Sequence, residues 1–245
     1  MKMKYVLFVA CAISLFAFKK DLNSEAVLKK MYGRYSNKWF KTFSFNQTTE
    51  RWRHDSLIKT DTWYENVIYP NLFRIDFGDP TIGNAIIYRG DSSFLFKNGQ
   101  LTKADKDRDE LTFFLGGMYF HPFSDVLAEF KDLNYNLAKF HEDTWKGKPV
   151  YVIGADSTNE KVNQLWIDKD MLVPVRFLKF DDNRKEDGTF EDQVKMKGGW
   201  SETKCAFYIN DKLIQVEKYH DLVAGEPIDA AIFDPYAFVK LPVKK

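Results

Sequence analysis

The sequence predicts an α+β domain that is mainly β, with about ten or eleven antiparallel strands and helices at the start and in the middle of the chain. Three observations predict it. Aromatic residues make up 16% of the 245 residues and fall in alternating runs, the pattern of a pleated surface with one buried face. Two-residue turn signals stand between several of those runs. Apolar residues at helical spacing occur at the start of the chain and again in its middle.

Met1 to Phe18 reads as an export signal, with Lys2 and Lys4 ahead of an apolar stretch too short to span a bilayer. That leaves residues 19–245 as a single domain. Val9-Ala10-Cys11 is a loose lipobox, so a lipid anchor on Cys11 is an alternative, and an uncleaved signal anchor is a third. Asn23 or Ser24 can cap a helix carrying Val27, Leu28, Met31, Tyr32 and Tyr35 on one stripe. From Trp39 the period changes to two. Phe43 and Phe45 open a strand whose polar continuation to Arg53 is expected to be wet, and Ile58 to Tyr69 stays β-like. Phe73, Ile75 and Phe77 then alternate with Leu72, Arg74 and Asp76.

Gly90-Asp91 and Asn98-Gly99 mark two hairpins, and the charged run Lys103 to Glu110 reads as a solvated connection. Leu111, Phe113, Phe114 and Leu115 turn helical before Gly116-Gly117, and Phe123, Val126, Leu127 and Phe130 form an amphipathic helix after Pro122. Strands resume at Tyr135–Phe140, Val150–Ile153, Val162–Ile167, Leu172–Phe180, Phe190–Met196, Lys204–Ile209 and Leu213–Tyr219. Lys146-Gly147 and Asn210-Asp211 serve as turns.

The balance of 36 Lys+Arg against 35 Asp+Glu argues against nucleic acid, which needs a basic face. Only Cys205 remains after cleavage, so no intramolecular disulfide or cysteine zinc site forms, and it reads as a small core residue. His54, His121, His141 and His220 share no metal-ligand spacing. Gly90-Asp91-Ser92 lacks the strand-to-helix elbow of a serine hydrolase, and Gly116-Gly117 lacks the context of a phosphate loop. The residues therefore point to no catalytic group, metal or cofactor.

What remains is apolar surface. Phe43, Phe45, Phe73, Ile75, Phe77, Phe94, Phe96, Val175, Phe177 and Phe207 can project to one side of the sheet, and helical Phe113, Phe114, Leu115 and Met118 can cover that side. Two readings fit: a dry core closed by the helices, or an apolar cavity with a helical lid suited to an exported acyl-chain binder.

The run Pro70-Asn71-Leu72-Phe73-Arg74-Ile75-Asp76-Phe77, followed by Ile86-Ile87-Tyr88-Arg89-Gly90-Asp91-Ser92-Ser93-Phe94-Leu95-Phe96, resembles the LolA family of periplasmic lipoprotein carriers and their outer-membrane lipoprotein-sorting relatives. Further blocks agree in order: Leu28–Phe45, Phe113-Phe114-Leu115-Gly116-Gly117, Leu165-Trp166-Ile167-Asp168 with Val173-Pro174-Val175-Arg176, and Ala230-Ala231-Ile232-Phe233. The resemblance implies a strongly curved, half-open β-barrel with helices over its concave mouth. It implies a monomeric, non-enzymatic periplasmic protein carrying the acyl chains of lipoproteins or lipids in a hydrophobic cavity. Its implied partners are an inner-membrane releasing transporter and an outer-membrane acceptor. An envelope structural or interaction protein, or an acceptor anchored through Cys11, is the alternative on the same fold. One departure bears on the lid. The family often has an Arg before the Pro that holds the lid, whereas Tyr69 precedes Pro70 here, so lid closure is expected to differ.

Overall fold

The computed structural model describes residues 22–242, so the expected signal at 1–18 and Cys11 lie outside the described residues. Helix α1 (Ser24–Tyr35) starts where Asn23 Oδ1 accepts the Ala26 N–H at 2.9 Å, and its stripe of Val27, Leu28, Met31 and Tyr35 is buried. A first antiparallel meander follows: β1 (Thr42–Arg53), β2 (Ser56–Ile68), β3 (Leu72–Phe77), β4 (Ala85–Arg89), β5 (Ser92–Lys97) and β6 (Gln100–Asp105). The chain then crosses through α2 (Glu110–Phe114), a short 3-10 turn at Gly117–Phe120, and α3 (Phe123–Asp132). A second meander comprises β7 (Phe140–Trp145), β8 (Lys148–Ile153), β9 (Gln164–Asp168), β10 (Pro174–Asp181) and β11 (Arg184–Glu191). After a small hairpin of β12 (Val194–Met196) and β13 (Gly199–Ser201), β14 (Lys204–Ile209) and β15 (Lys212–Ala224) return to the centre.

The two meanders are joined in one curved antiparallel sheet, open rather than closed into a barrel, of order β6-β5-β4-β3-β2-β1-β15-β14-β11-β10-β9-β8-β7. The crossing segment α2 to α3 runs from strand β6 at one edge to strand β7 at the other, which is why helices cover the mouth. The expected hairpins form: Asn98 and Gly99 take φ values of 52° and 81°, the left-handed pair that a tight two-residue turn needs.

The main sheet has thirteen strands rather than ten or eleven. Part of the charged run expected to be a connection is strand β6, exposed along its whole length. Charged residues such as Lys103 are tolerated there because an edge strand needs only backbone pairing, and charge discourages further partners. The charged stretch near Asn183–Gly188 lies largely in β11, where Asp187 accepts two hydrogen bonds from Arg176 at 2.8 and 2.6 Å. Tyr135 to Lys139, expected as strand, is instead the turn-rich lead into β7, with Tyr135 buried against Phe114 and Phe130.

The outer face carries two separate covers. On the first meander, the C-terminal stretch with its 3-10 turn Ala230–Phe233 packs Phe233 and Phe238 against Ile87 and Phe96. Arg74 and Asp76, both fully buried there, form a two-bond pair at 2.8 Å, and Arg74 also donates to the carbonyls of Ile232 and Val239. On the second meander, Val150, Val152, Trp166 and Val175 cluster with Trp145, and Arg176 lies over both indoles.

Candidate functional site

The concave face is one apolar cluster of two kinds. Over the second meander it is filled: α1 and α3 lay Val27, Leu28, Met31, Val126 and Phe130 among the inward residues of that face, Ile153, Leu165, Ile167 and Phe177. Over the first meander it is hollow. A cavity of about 120 Å³ is walled by Phe43 and Phe45 of β1, Trp63, Glu65 and Val67 of β2, Phe73 and Ile75 of β3, and Glu217 and Tyr219 of β15. It is roofed by Leu111, Thr112 and Leu115 of the crossing segment, and by Trp200, Ser201 and Glu202 from the small hairpin and the turn after it. A polar cleft of about 350 Å³ at the lid's edge shares Phe73, Asp109 and Thr112 with it and extends to Asp91, Asp125 and His121.

The local sequence explains the walls. Phe43, Phe45, Gln47 and Thr49 share the inward phase of β1, and antiparallel register sets Phe45 opposite Glu65, Gln47 opposite Trp63 and Tyr219, and Thr49 opposite Glu217. Phe45 stacks on Tyr219 at 4.3 Å. The polar continuation of β1 is therefore not wet at Gln47 and Thr49, which are fully buried.

The lid is tied down by a few polar contacts. Tyr69, which precedes Pro70, donates to the Leu115 carbonyl at 3.2 Å, a single bond to the roof. Gly116 makes the close fit possible: a Cβ there would lie 2.4 Å from Trp39 Nε1 and 2.9 Å from the Tyr69 ring. Glu110 at the start of α2 accepts from Lys179 of β10 at 2.8 Å, and Arg108 donates to Glu129 of α3 at 2.9 Å.

Glu65, Glu202, Glu217 and Asp109 all face the cavity and none has an ion-pair partner among the described residues. Burial pushes the Glu65 carboxyl well above the usual carboxylate range, and the nearby Glu217, Asp109 and Glu202 push it further. Burial likewise raises Glu202 to about 7 and raises Glu217 and Asp109. Cys205, fully buried, lies 3.3 Å from the Tyr219 hydroxyl.

The expected site residues divide. Phe43, Phe45, Phe73, Ile75 and Leu115 meet at the cavity, and Phe113 lines the neighbouring cleft. Phe77 stands beside it against Trp63, their ring centroids 4.9 Å apart. Phe114, Met118 and Phe177 are buried packing in the concave cluster, and Phe207 is partly buried against it. Phe94, Phe96 and Val175 are on the other side of the sheet. Register sets Phe94 opposite Ile87, itself opposite outward Arg74, so Phe94 and Phe96 face the C-terminal stretch. An irregularity between Pro174 and Arg176 breaks the alternation and turns Val175 outward onto Trp166. Sequence reading missed Trp63, Glu65, Trp200, Glu202, Glu217 and Tyr219. For Glu65 a signal exists, a lone charge in the phase Trp63, Val67, Tyr69; for Glu202, outside any strand, periodicity offers none. Ser92 pairs with Arg89 in the β4–β5 hairpin.

No family model matches the sequence, and no curated protein matches it. Solved structures do match in shape. A DUF1329 family protein from Desulfovibrio piger aligns over 88% of this chain and 98% of its own, with a TM-score of 0.56 at 13% identity. A LolA superfamily protein from Nitrosomonas europaea aligns over 87% and 98%, with a TM-score of 0.54 at 13% identity. A domain described as an outer-membrane lipoprotein-sorting protein, from Vibrio parahaemolyticus, aligns over 87% and 97%, with a TM-score of 0.57 at 13% identity. The curved open sheet, the crossing helices and these alignments together show that this chain has a LolA-like fold.

Proposed function

We propose that the protein is a non-enzymatic periplasmic carrier that shields acyl chains of lipoproteins or lipids in the hollow half of its concave face during transfer to the outer membrane. The observation that carries this reading is the aromatic cavity of Phe43, Phe45, Phe73 and Ile75 beneath a lid held by few polar contacts. The likeness to a LolA superfamily protein and to a lipoprotein-sorting domain supports it at the level of fold. No described helix is long and apolar enough to cross a membrane. Residues 1–18 act in this reading as the export signal. An inner-membrane releasing transporter is the donor and an outer-membrane protein the acceptor.

Free energy explains the need: at roughly 0.8 kcal/mol per buried methylene, a chain of about fifteen carbons gains on the order of 12 kcal/mol before binding costs. A cavity of 120 Å³ is smaller than the roughly 300–1,000 Å³ of drug-sized ligand pockets, so loading requires α2 and its neighbours to lift. Release of the Tyr69–Leu115 and Lys179–Glu110 bonds would widen the cavity into the adjoining cleft. The same small volume favours a second reading, an envelope interaction protein, or an acceptor anchored through Cys11, that keeps its concave face closed.

Native mass spectrometry and lipid extraction of protein purified from the envelope separate the two. Acyl lipid in near-stoichiometric amount is expected; its absence under gentle conditions would favour the second reading. Intact mass on the same material is expected to show the loss of residues before about Phe18. A mature start at diacylated Cys11 would replace the soluble carrier by the anchored form.

A further inference from the structure

The hollow half is unlike a plain lipid pocket, because its ionisable side chains include four acids and no base. Glu65 is 5% exposed, faces the cavity and accepts no hydrogen bond from any described residue. Gln47, fully buried on the neighbouring strand, gives its Nε2 hydrogen to Thr49 at 2.9 Å and leaves its Oε1 without a donor. Both are unmet acceptors, and Glu65 is the one that lines the cavity, where a buried acceptor without a donor costs free energy that a ligand can return. Glu217, which holds bonds from Gln215 and Tyr219, and Glu202 add further carboxyl groups to the same cavity.

A metal ion does not suit this arrangement: no group of three or more His, Cys, Asp or Glu side chains among the described residues is placed to hold one. An organic cation does. A primary ammonium carries three donors that can reach separate acceptors, and the Phe45, Trp63 and Tyr219 rings supply the faces that attract a cation. Trp63 already has such a contact, with the Arg51 guanidinium 5.5 Å from its centroid. The adjoining cleft repeats the sign of charge. Its one basic lining residue besides His121, Arg108, is taken up by Glu129, while Asp91, Asp109 and Asp125 of its lining have no ion-pair partner among the described residues.

We propose that this cavity is a binding site for an alkylammonium group, the ammonium held by Glu65 and the methylenes by Phe43, Phe45 and Ile75. As the head group of a carried lipid, the amine deepens the carrier reading and rests on it; as a free alkyl polyamine it stands alone.

The test is calorimetric or fluorescence titration of the mature protein with n-dodecylamine, n-dodecanoate, n-dodecanol and spermidine. Dodecylamine is expected to bind about tenfold or more tighter than dodecanoate, and Glu65→Gln to abolish that preference, read as the ratio of the two affinities. Glu217→Gln, at the other wall, is expected to reduce the preference less. Spermidine displacing dodecylamine would support the site and assign it to free amines. Equal binding of the three dodecyl probes would overturn the amine inference and leave the carrier reading standing. Binding of none of the three would overturn the carrier reading, and failure of spermidine as well would overturn both. Circular dichroism on each variant checks that it is folded.

Discussion

The two halves of the concave face are built from the same kind of strand yet end in different states. Over the second meander, helices α1 and α3 bring a full apolar stripe onto Ile153, Leu165 and Ile167, and the space is filled. Over the first meander, the cover is the five-residue α2 and the Trp200 hairpin, and a cavity with buried carboxylates remains. The length of the covering helix decides the difference: α1 offers 12 residues and three turns of side chains, whereas α2 offers little more than one turn. A dry core and a cavity, which the alternating pattern leaves as rival readings, thus occur side by side.

Truncation is the strongest way to break this contrast. Phe130, fully buried between Phe113, Phe114 and Tyr135, loses packing on every side in Phe130→Ala, which is expected to cost about 3–5 kcal/mol. Phe45→Ala at the cavity wall, where part of the ring already faces empty space, is expected to cost about 2 kcal/mol. Urea unfolding of the two variants measures it. Equal losses would mean that the hollow half is packed like the filled one.

The buried acids give the next largest effect and a sign. Glu202 titrates near 7 in the folded protein against its usual 4.5, so between those values the unfolded chain is ionised while the folded one keeps its proton. The contribution of Glu202 to stability is therefore greatest below about 4.5 and is lost as pH rises through 7, by a full-scale cost on the order of 3 kcal/mol. Glu202→Gln is expected to raise the melting temperature at pH 8 and to flatten the decline between pH 4.5 and 7 relative to the parent protein. Glu65→Gln is expected to act in the same direction, since its carboxyl is pushed up further by its acidic neighbours. A neutral-pH loss of stability in both variants would show that these carboxylates are held by favourable contacts.

Much of this architecture was legible in the sequence, for physical reasons that also mark where reading stops. The α1 stripe, the α3 stripe, the Asn98-Gly99 and Asn210-Asp211 turns and the phase of Phe73, Ile75 and Phe77 are all local patterns. The faces of Phe94, Phe96 and Val175 are not local. They follow from pairing with β4 and from the irregularity in β10, neither of which leaves a trace in alternation alone. Arg74 and Asp76 read only as a polar face of β3, because the carbonyls of Ile232 and Val239 that Arg74 reaches lie 158 and 165 residues away along the chain. Glu202 reaches the cavity from outside any strand, so no periodicity points to it.

Enlarging side chains sharpens the same comparison with a smaller effect. Leu165→Trp overfills a fully buried site beneath the helices and is expected to cost about 1–3 kcal/mol. Ile75→Trp places its added volume in the cavity, with an expected cost below about 1 kcal/mol, and reduces uptake of a fluorescent fatty acid by occupying that space. Unchanged fatty-acid binding together with a clear drop in melting temperature would count against the carrier.

The smallest expected effect is at the lid. Tyr69→Phe removes one hydroxyl, and with it the bond to the Leu115 carbonyl, while keeping the ring that stacks on Phe120 at 5.8 Å. A single neutral hydrogen bond contributes about 1 kcal/mol, so global stability should fall by no more than that. The change acts locally, because Leu115 closes α2, the short helix that roofs the hollow half, whereas α1 and α3 keep their contacts over the filled half. Hydrogen exchange is therefore expected to speed several-fold at residues 110–120 and to stay unchanged in α1. Release of bound fatty acid should quicken in parallel. Acceleration in α1 to the same degree would mean that the two halves open as one unit, and that the difference in their packing does not divide the lid into a fixed part and a moving one.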